Sequence, residues 1–257
     1  MADSSGKESL SPAVNSAVDI LELLAKTGRP LGTADIARGI GRAKSTASNI
    51  VLALEQSGLV ERHESNGYQL GRKLVELGGA YLAQTDLVAD FHRAGRSLPV
   101  AKNETLSLSS LKDDEIVYLA HHSGNQPVRW FANFGSRLPV VATAMGISML
   151  STMTDDELDE YLEAITEYPE LTEYSYRSES EFREVIAKAK EDGYAVGDQL
   201  NTLGLCSFAR PMLSEFDDRL LAVGVTLLSA RVTPDLQKAL LDDLATLAEL
   251  LPPAGAA

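Results

Sequence analysis

The chain has 257 residues, 44% of them hydrophobic, with 23 Lys and Arg against 37 Asp and Glu and a formal net charge of −14. This length suits two ordinary globular domains, and no stretch approaches the roughly 18 uninterrupted apolar residues of a membrane span, so a cytoplasmic protein is expected. The single cysteine, Cys206, excludes an internal disulfide, and the four histidines form no CxxC or HExxH spacing, so neither a structural metal nor a cofactor is expected.

The charge is unevenly spread. Residues 1–75 hold nine Lys or Arg and eight Asp or Glu, a net of +1, which leaves −15 for residues 76–257. A near-neutral head with local basic groups and an acidic body is the pattern of a protein that touches nucleic acid with one end only. An ordinary acidic soluble domain accounts for the body equally well.

Residues 1–11 are Ser-rich and polar and read as a disordered tail. From Ala13 to Lys26 the set Val14, Val18, Leu21 and Leu24 has helical spacing, and Gly28-Arg29-Pro30 stops that helix. Thr33 is placed to cap a second helix with Ile36, Ala37 and Ile40 on its apolar face; Gly39 and Gly41 end it, and a third helix starts near Ala43. The first turns of the third helix carry Lys44, Ser45, Thr46, Ser48 and Asn49, short polar or cationic groups suited to base edges and phosphates, while Val51 and Leu54 face inward. After Gly58, two alternating stretches flank Ser65-Asn66-Gly67, a strong hairpin signal. Helix, helix and hairpin in this order predict a winged helix-turn-helix over residues 12–72. Arg42, Lys44, Ser45, Thr46, Ser48 and Asn49 are its candidate DNA contacts, with Arg62 and His63 in the wing.

Leu74, Leu77, Tyr81, Leu82, Val88 and Phe91 predict a helical linker over residues 73–98, either two helices or one bent at Gly78-Gly79. Its apolar residues fit a dimer seam or ordinary core. Strands are expected at 104–111, 115–122 and 128–133, then a helix over 140–153 and a second one capped by Thr154. A Tyr- and Glu-rich loop at 167–177 precedes a helix capped by Ser178 or Ser180 and ended by Gly193. Strands at 194–198, 205–212 and 220–228 and a last helix from Thr233-Pro234 complete an α+β domain over 99–252, with a short tail at 253–257. Trp130 suits a cavity wall, and plain sheet core better. His121-His122 read as a solvated strand end, and Cys206 as a buried thiol before a redox sensor.

From Ala13 to Leu251 the chain resembles the IclR family of bacterial transcriptional regulators. The run from Ala13 to Arg62 is similar to the family's winged-helix pattern, and GRKLVELG from Gly71 to Gly78 is similar to its signature after the wing. The resemblance implies an α+β protein with an N-terminal winged helix-turn-helix, a linker helix and a C-terminal GAF-like ligand-binding domain. It further implies a homodimer or dimer of dimers on double-stranded operator DNA, acting without catalysis. Lys44-Ser45-Thr46 matches the family at the start of its recognition helix, whereas Asn49 stands where Arg is common and Arg42-Ala43 replaces an apolar-Pro pair. Asn pairs bidentately with adenine where Arg favours guanine, so this chain should read its own operator.

In the second domain the stretch from Gly135 to Gly146 resembles the family's loop and helix start beside the ligand pocket, which implies effector contacts at Thr143, Ala144, Met145 and Gly146, whose backbone N–H groups suit a carboxylate. Val141 and Ile147 stand where His and Lys are frequent. GYAVGDQ from Gly193 to Gln199 is similar to a family stretch with two acids, of which Asp198 remains; Ser207 takes the place of a pocket Cys, and Gly224 and Thr226 those of two pocket serines. Asp198, Ser207, Thr226 and Trp130 complete the expected pocket. The implied effector is a small organic acid with a larger apolar part than the smallest 2-oxo acids, and the implied action is repression. The alternatives are an enzyme acting on such an acid and a redox or metal sensor using Cys206.

Overall fold

The computed structural model describes residues 11–83, 87–127, 133–212 and 220–251, in two compact units that divide between Gln84 and Thr85. Trp130 and nearly all of the strand expected at 128–133 lie outside the described residues.

In the first unit α1 (Pro12–Thr27) ends at Gly28, whose φ of 64° is the left-handed conformation that glycine adopts without strain. Its buried stripe is Ser16, Ile20 and Leu24, which keeps Leu24 of the expected set, while Val14 and Val18 face outward. Ser16 can sit inside because its Oγ accepts a hydrogen bond from Arg42 Nε at 3.2 Å. Thr33 opens α2 (Thr33–Gly39) as its first residue, with Gly32, not Thr33, in the capping position. The next helix, α3 (Lys44–Gln56), buries Ala47, Val51 and Leu54. Strands β1 (Val60–Arg62) and β2 (Tyr68–Leu70) form the hairpin, closed through Asn66 at φ 59°. The sequence reading missed Leu31, whose N–H and C=O both bond to Tyr68 (3.0 and 2.8 Å) and add a bridge beside β2. Ile20, Leu24, Leu31, Ile36, Val51, Leu54, Val60 and Tyr68 make one core. At the hairpin exit a Cβ on Gly71 would stand 2.1 Å from Gly58 O, so only glycine lets the chain return so closely to the end of α3. The unit ends with α4 (Lys73–Ala83), in which Val75, Leu77 and Tyr81 are 76%, 52% and 48% exposed. Gly78 and Gly79 lie inside α4 and do not interrupt it.

The second unit is built on an antiparallel sheet of β3 (Thr105–Lys112), β4 (Glu115–His122), β5 (Arg137–Pro139), β6 (Ala195–Asp198), β7 (Leu205–Met212) and β8 (Leu221–Leu228), ordered β5-β4-β3-β8-β7-β6. One face packs on α5 (Leu87–Ser97) and α9 (Pro234–Leu250) through Phe91, Leu98, Leu106, Leu108, Phe208, Val223, Val225, Leu240 and Leu244. The expected linker therefore divides: α5 belongs to the core of this unit. Asp243 of α9, itself buried, accepts from the backbone N–H groups of Val100 and Ala101 at 2.8 and 2.7 Å, holding the turn that leads into β3.

The opposite face carries α6 (Ala144–Leu150), α7 (Asp155–Glu163) and α8 (Glu179–Asp192) over a core of Tyr118, Met149, Leu162, Phe182 and Ile186. The single helix expected over 140–153 is instead a 3-10 turn at Val140–Ala142 followed by the seven residues of α6. Thr154, Ser178 and Thr233 each accept from a backbone N–H one turn on, and Thr154 with Glu157 forms a reciprocal capping box. The starts at Thr154 and Thr233 are those expected, and of the two serines expected to cap α8 it is Ser178 that does so.

Candidate functional site

Two sites emerge, one in each unit. In the first, α3 presents Lys44, Ser45, Thr46 and Asn49 to solvent, with Ser48 half-buried beside the inward Ala47 and Val51. No acidic residue lies in the first turn of α3, and Lys44 has no ion pair among the described residues, so its charge is available to a polyanion. The remaining predicted contacts are more engaged. Arg42 donates to Ser16. Arg62 donates to Glu55 Oε1 at 3.1 Å and Tyr68 Oη at 3.0 Å and lies over the Tyr68 ring, so its role within this unit is to tie β1 to α3 and β2. His63, exposed at the hairpin tip, sits 2.9 Å from Ser65 Oγ through Nδ1.

In the second unit a cavity lies between α6 and the β6-β7-β8 end of the sheet. Thr143, Ala144, Met145, Ser207 and Thr226, all predicted, line it together with Tyr118, Asn201 and Leu205. Ser207 and Thr226 are opposed in the β7–β8 register, and their hydroxyls are 2.9 Å apart. Gly197 and Gly224 form part of the wall; a Cβ on Gly224 would meet Met145 Cγ at 3.1 Å. Tyr118 is buried, and loss of solvent pushes its phenol well above the usual range, so it stays protonated.

Two predicted contacts are placed otherwise. Asp198 alternates with Gly197 along β6; Gly197 lines the cavity while Asp198 is exposed and accepts from Ser229 Oγ at 2.9 Å. The N–H of Gly146 donates to Thr143 Oγ1 at 2.9 Å and is no longer free for a ligand. Sequence reasoning missed Tyr118, Leu200, Asn201 and Leu205, which reach the cavity only through the tertiary fold. Gln199, at φ 59°, turns the chain out of β6, and the turn is strapped from outside. Thr172 Oγ1 donates to Gln199 O at 2.7 Å, Ser175 Oγ to Leu200 O at 2.9 Å, and Asn201 Nδ2 to Ala142 O at 3.0 Å.

Cys206 lies on the other sheet face, in the core shared with α5 and α9. Burial, reinforced by the Asp198 charge, pushes its thiol up to about 12. Among the described residues no group of three His, Cys, Asp or Glu side chains is placed to hold a metal ion, and no helix is long and apolar enough to cross a membrane.

Comparison with known proteins agrees with this division. The IclR helix-turn-helix domain matches residues 13–64, and the C-terminal domain of bacterial transcriptional regulator IclR matches residues 79–251. The chain is 28% identical to the HTH-type transcriptional regulator XynR of Escherichia coli over 86% of this chain and 87% of that one. It is 31% identical to the glycerol operon regulatory protein of Streptomyces coelicolor, covering 82% of each. Its fold is that of an IclR homolog from Microbacterium hydrocarbonoxydans solved with 4-hydroxybenzoate, with a TM-score of 0.77 at 21% identity over 93% of this chain and 98% of that one. A helix-turn-helix with an exposed recognition helix, joined in one chain to a cavity-bearing α+β unit, together with these matches over nearly the whole length, places the chain in the IclR family of bacterial transcriptional regulators.

Proposed function

We propose that the protein is a ligand-responsive repressor: a dimer that holds operator DNA through α3 and the hairpin and changes its grip when a small molecule occupies the cavity of the second unit. The observation that carries this reading is the pairing, in one chain, of an unencumbered Lys44-Ser45-Thr46 helix start with a lined cavity remote from it in sequence. The solved 4-hydroxybenzoate complex of a protein of this fold, and the repressors among the relatives, such as the acetate operon repressor of Salmonella typhimurium, support it. Dimerisation is supported by α4, which exposes Val75 and Leu77 at a cost that a second copy would remove. A twofold dimer sets two recognition helices one DNA turn apart, so the operator is roughly palindromic. Catalysis has no part in this reading.

The test is a gel shift with DNA upstream of the protein's own gene at physiological salt. Binding no tighter than to random duplex of equal length rejects the proposal.

A further inference from the structure

We propose that Met145 decides how long a guest the cavity accepts: its side chain is a movable partition over a further subsite, floored by the buried hydroxyl of Ser109 on β3. The proposal rests on the reading of the second unit as the effector-binding part, and it holds for a charged or a neutral guest alike.

The lining residues locate the partition. Tyr118 of β4 and Gly224 and Thr226 of β8 reach the cavity. The strand between them, β3, contributes no lining residue among those described, although its Ser109 is paired with Tyr118 on one side and with Ala222 on the other. Met145 takes its place. This side chain lines the cavity and lies against Gly224, where a Cβ would stand 3.1 Å from Met145 Cγ and 3.3 Å from its sulfur. Its Sδ also accepts from Ser109 Oγ at 3.5 Å. One thioether thus separates the cavity from a hydroxyl that is fully buried.

The partition is weakly held. A thioether sulfur is a poor acceptor, and it is the partner that the Ser109 hydroxyl has among the described residues; an alcohol, carbonyl or carboxylate oxygen of a guest accepts the same O–H better. Methionine is unbranched and turns about three side-chain bonds, so it refits to an altered space where a branched residue would clash. Its backbone stays in place. Thr143 Oγ1 accepts from the Gly146 N–H at 2.9 Å, and this cap fixes the first turn of α6, so movement is confined to the side chain. A short guest occupies the space already open; a longer one turns the thioether aside and carries a polar group to Ser109.

The experiment is isothermal titration of the full-length protein with two series of growing length, benzyl alcohol to 4-phenylbutanol and benzoate to 4-phenylbutanoate, each with and without a 4-hydroxyl group. Ser207→Val serves as the cavity control. In the series that binds, Met145→Ala is expected to hold the longest member at least tenfold more tightly than wild type, and Ser109→Ala added to it to remove most of that gain. Met145→Leu, similar in volume but branched, should hold the longest member at least tenfold more weakly while the shortest is little changed. Should Met145→Ala fail to fold, Met145→Leu carries the comparison. An unchanged ranking by length in the folded variants, with binding still lost in Ser207→Val, overturns the proposal and leaves the effector-binding reading intact. Absence of binding across both series, by protein that still holds its operator, overturns both.

Discussion

Ser207 and Thr226 face each other across the β7–β8 ladder in the cavity wall with their hydroxyl oxygens 2.9 Å apart. Replacing Ser207 by Val fills part of the space with methyl groups and leaves Thr226 without its partner. The expected outcome is a rise of tenfold or more in the dissociation constant of whichever small molecule is found to bind, consistent with about 1–2 kcal/mol for a lost buried hydrogen bond. Titration of wild type and variant in parallel decides it; equal affinities would move the binding site elsewhere.

At the DNA end, Lys44→Ala and Thr46→Ala are each expected to weaken operator binding by about 5- to 30-fold, on the order of 1–2 kcal/mol. Their melting temperatures should match wild type, because both side chains are exposed. Lys44→Ala should also lower the slope of log affinity against log salt by about one, as expected for one lost phosphate contact. Anisotropy titrations at several salt concentrations read both effects, and an unchanged affinity in both variants would remove α3 from the contact surface.

For α4, Val75→Glu together with Leu77→Glu should convert the protein to a monomer in light scattering and reduce operator affinity, since a single head cannot engage two half-sites. A double variant that stays dimeric would show that the copies meet through other surfaces.

Asp243 gives the clearest stability prediction. Asp243→Ala leaves the N–H groups of Val100 and Ala101 without their acceptor in a buried turn. A loss of about 2–4 kcal/mol is expected, which lowers Tm by roughly 5–12 °C in a unit of this size. Asp243→Asn, which keeps one acceptor oxygen, should recover part of it.

Cys206 ties stability to pH. Its thiol is raised in the folded protein from an ordinary 9.0 to about 12. The folded state therefore favours the protonated thiol, and the stabilisation is fully present below pH 9 and is lost as pH rises from 9 to 12, where the unfolded chain gains from ionising. Chemical denaturation across that range should show wild type losing more stability than Cys206→Ala. At neutral pH a thiol reagent should label Cys206 only at the rate at which the second unit opens.

Local signals were readable and distant ones were not. Thr154, Ser178 and Thr233 announce their helices because a cap is settled within four residues. The phase of α1 is not local: Val14 and Val18 continue the apolar spacing, yet the core takes Ser16, which Arg42 completes from 26 residues away. Leu31 carries no local sign of strand pairing, because its partner, Tyr68, lies far along the chain in the hairpin. The strand Arg137–Pro139 is three residues long and contains a proline, so only its pairing with β4 defines it. In the cavity, Ser207, Thr226 and Asp198 were all expected from the family resemblance; the fold sets Ser207 and Thr226 in the wall, whereas along β6 it is Gly197, the neighbour of Asp198, that lines it. Tyr118 and Asn201 carry no local sign that they share a wall with either.

The strap of Thr172 and Ser175 bears on time more than on strength. To widen the cavity on its Leu200–Asn201 side, the chain must release the bonds at Gln199 O, Leu200 O and Ala142 O together, because all three restrain one short turn. Loosening that clasp would change how quickly a guest enters and leaves through the Leu200–Asn201 side, while Ser207 and Thr226 on the sheet stay as they are. On the proposed reading, the timing of the response would then be set at Thr172 and Ser175, which are not among the residues lining the cavity.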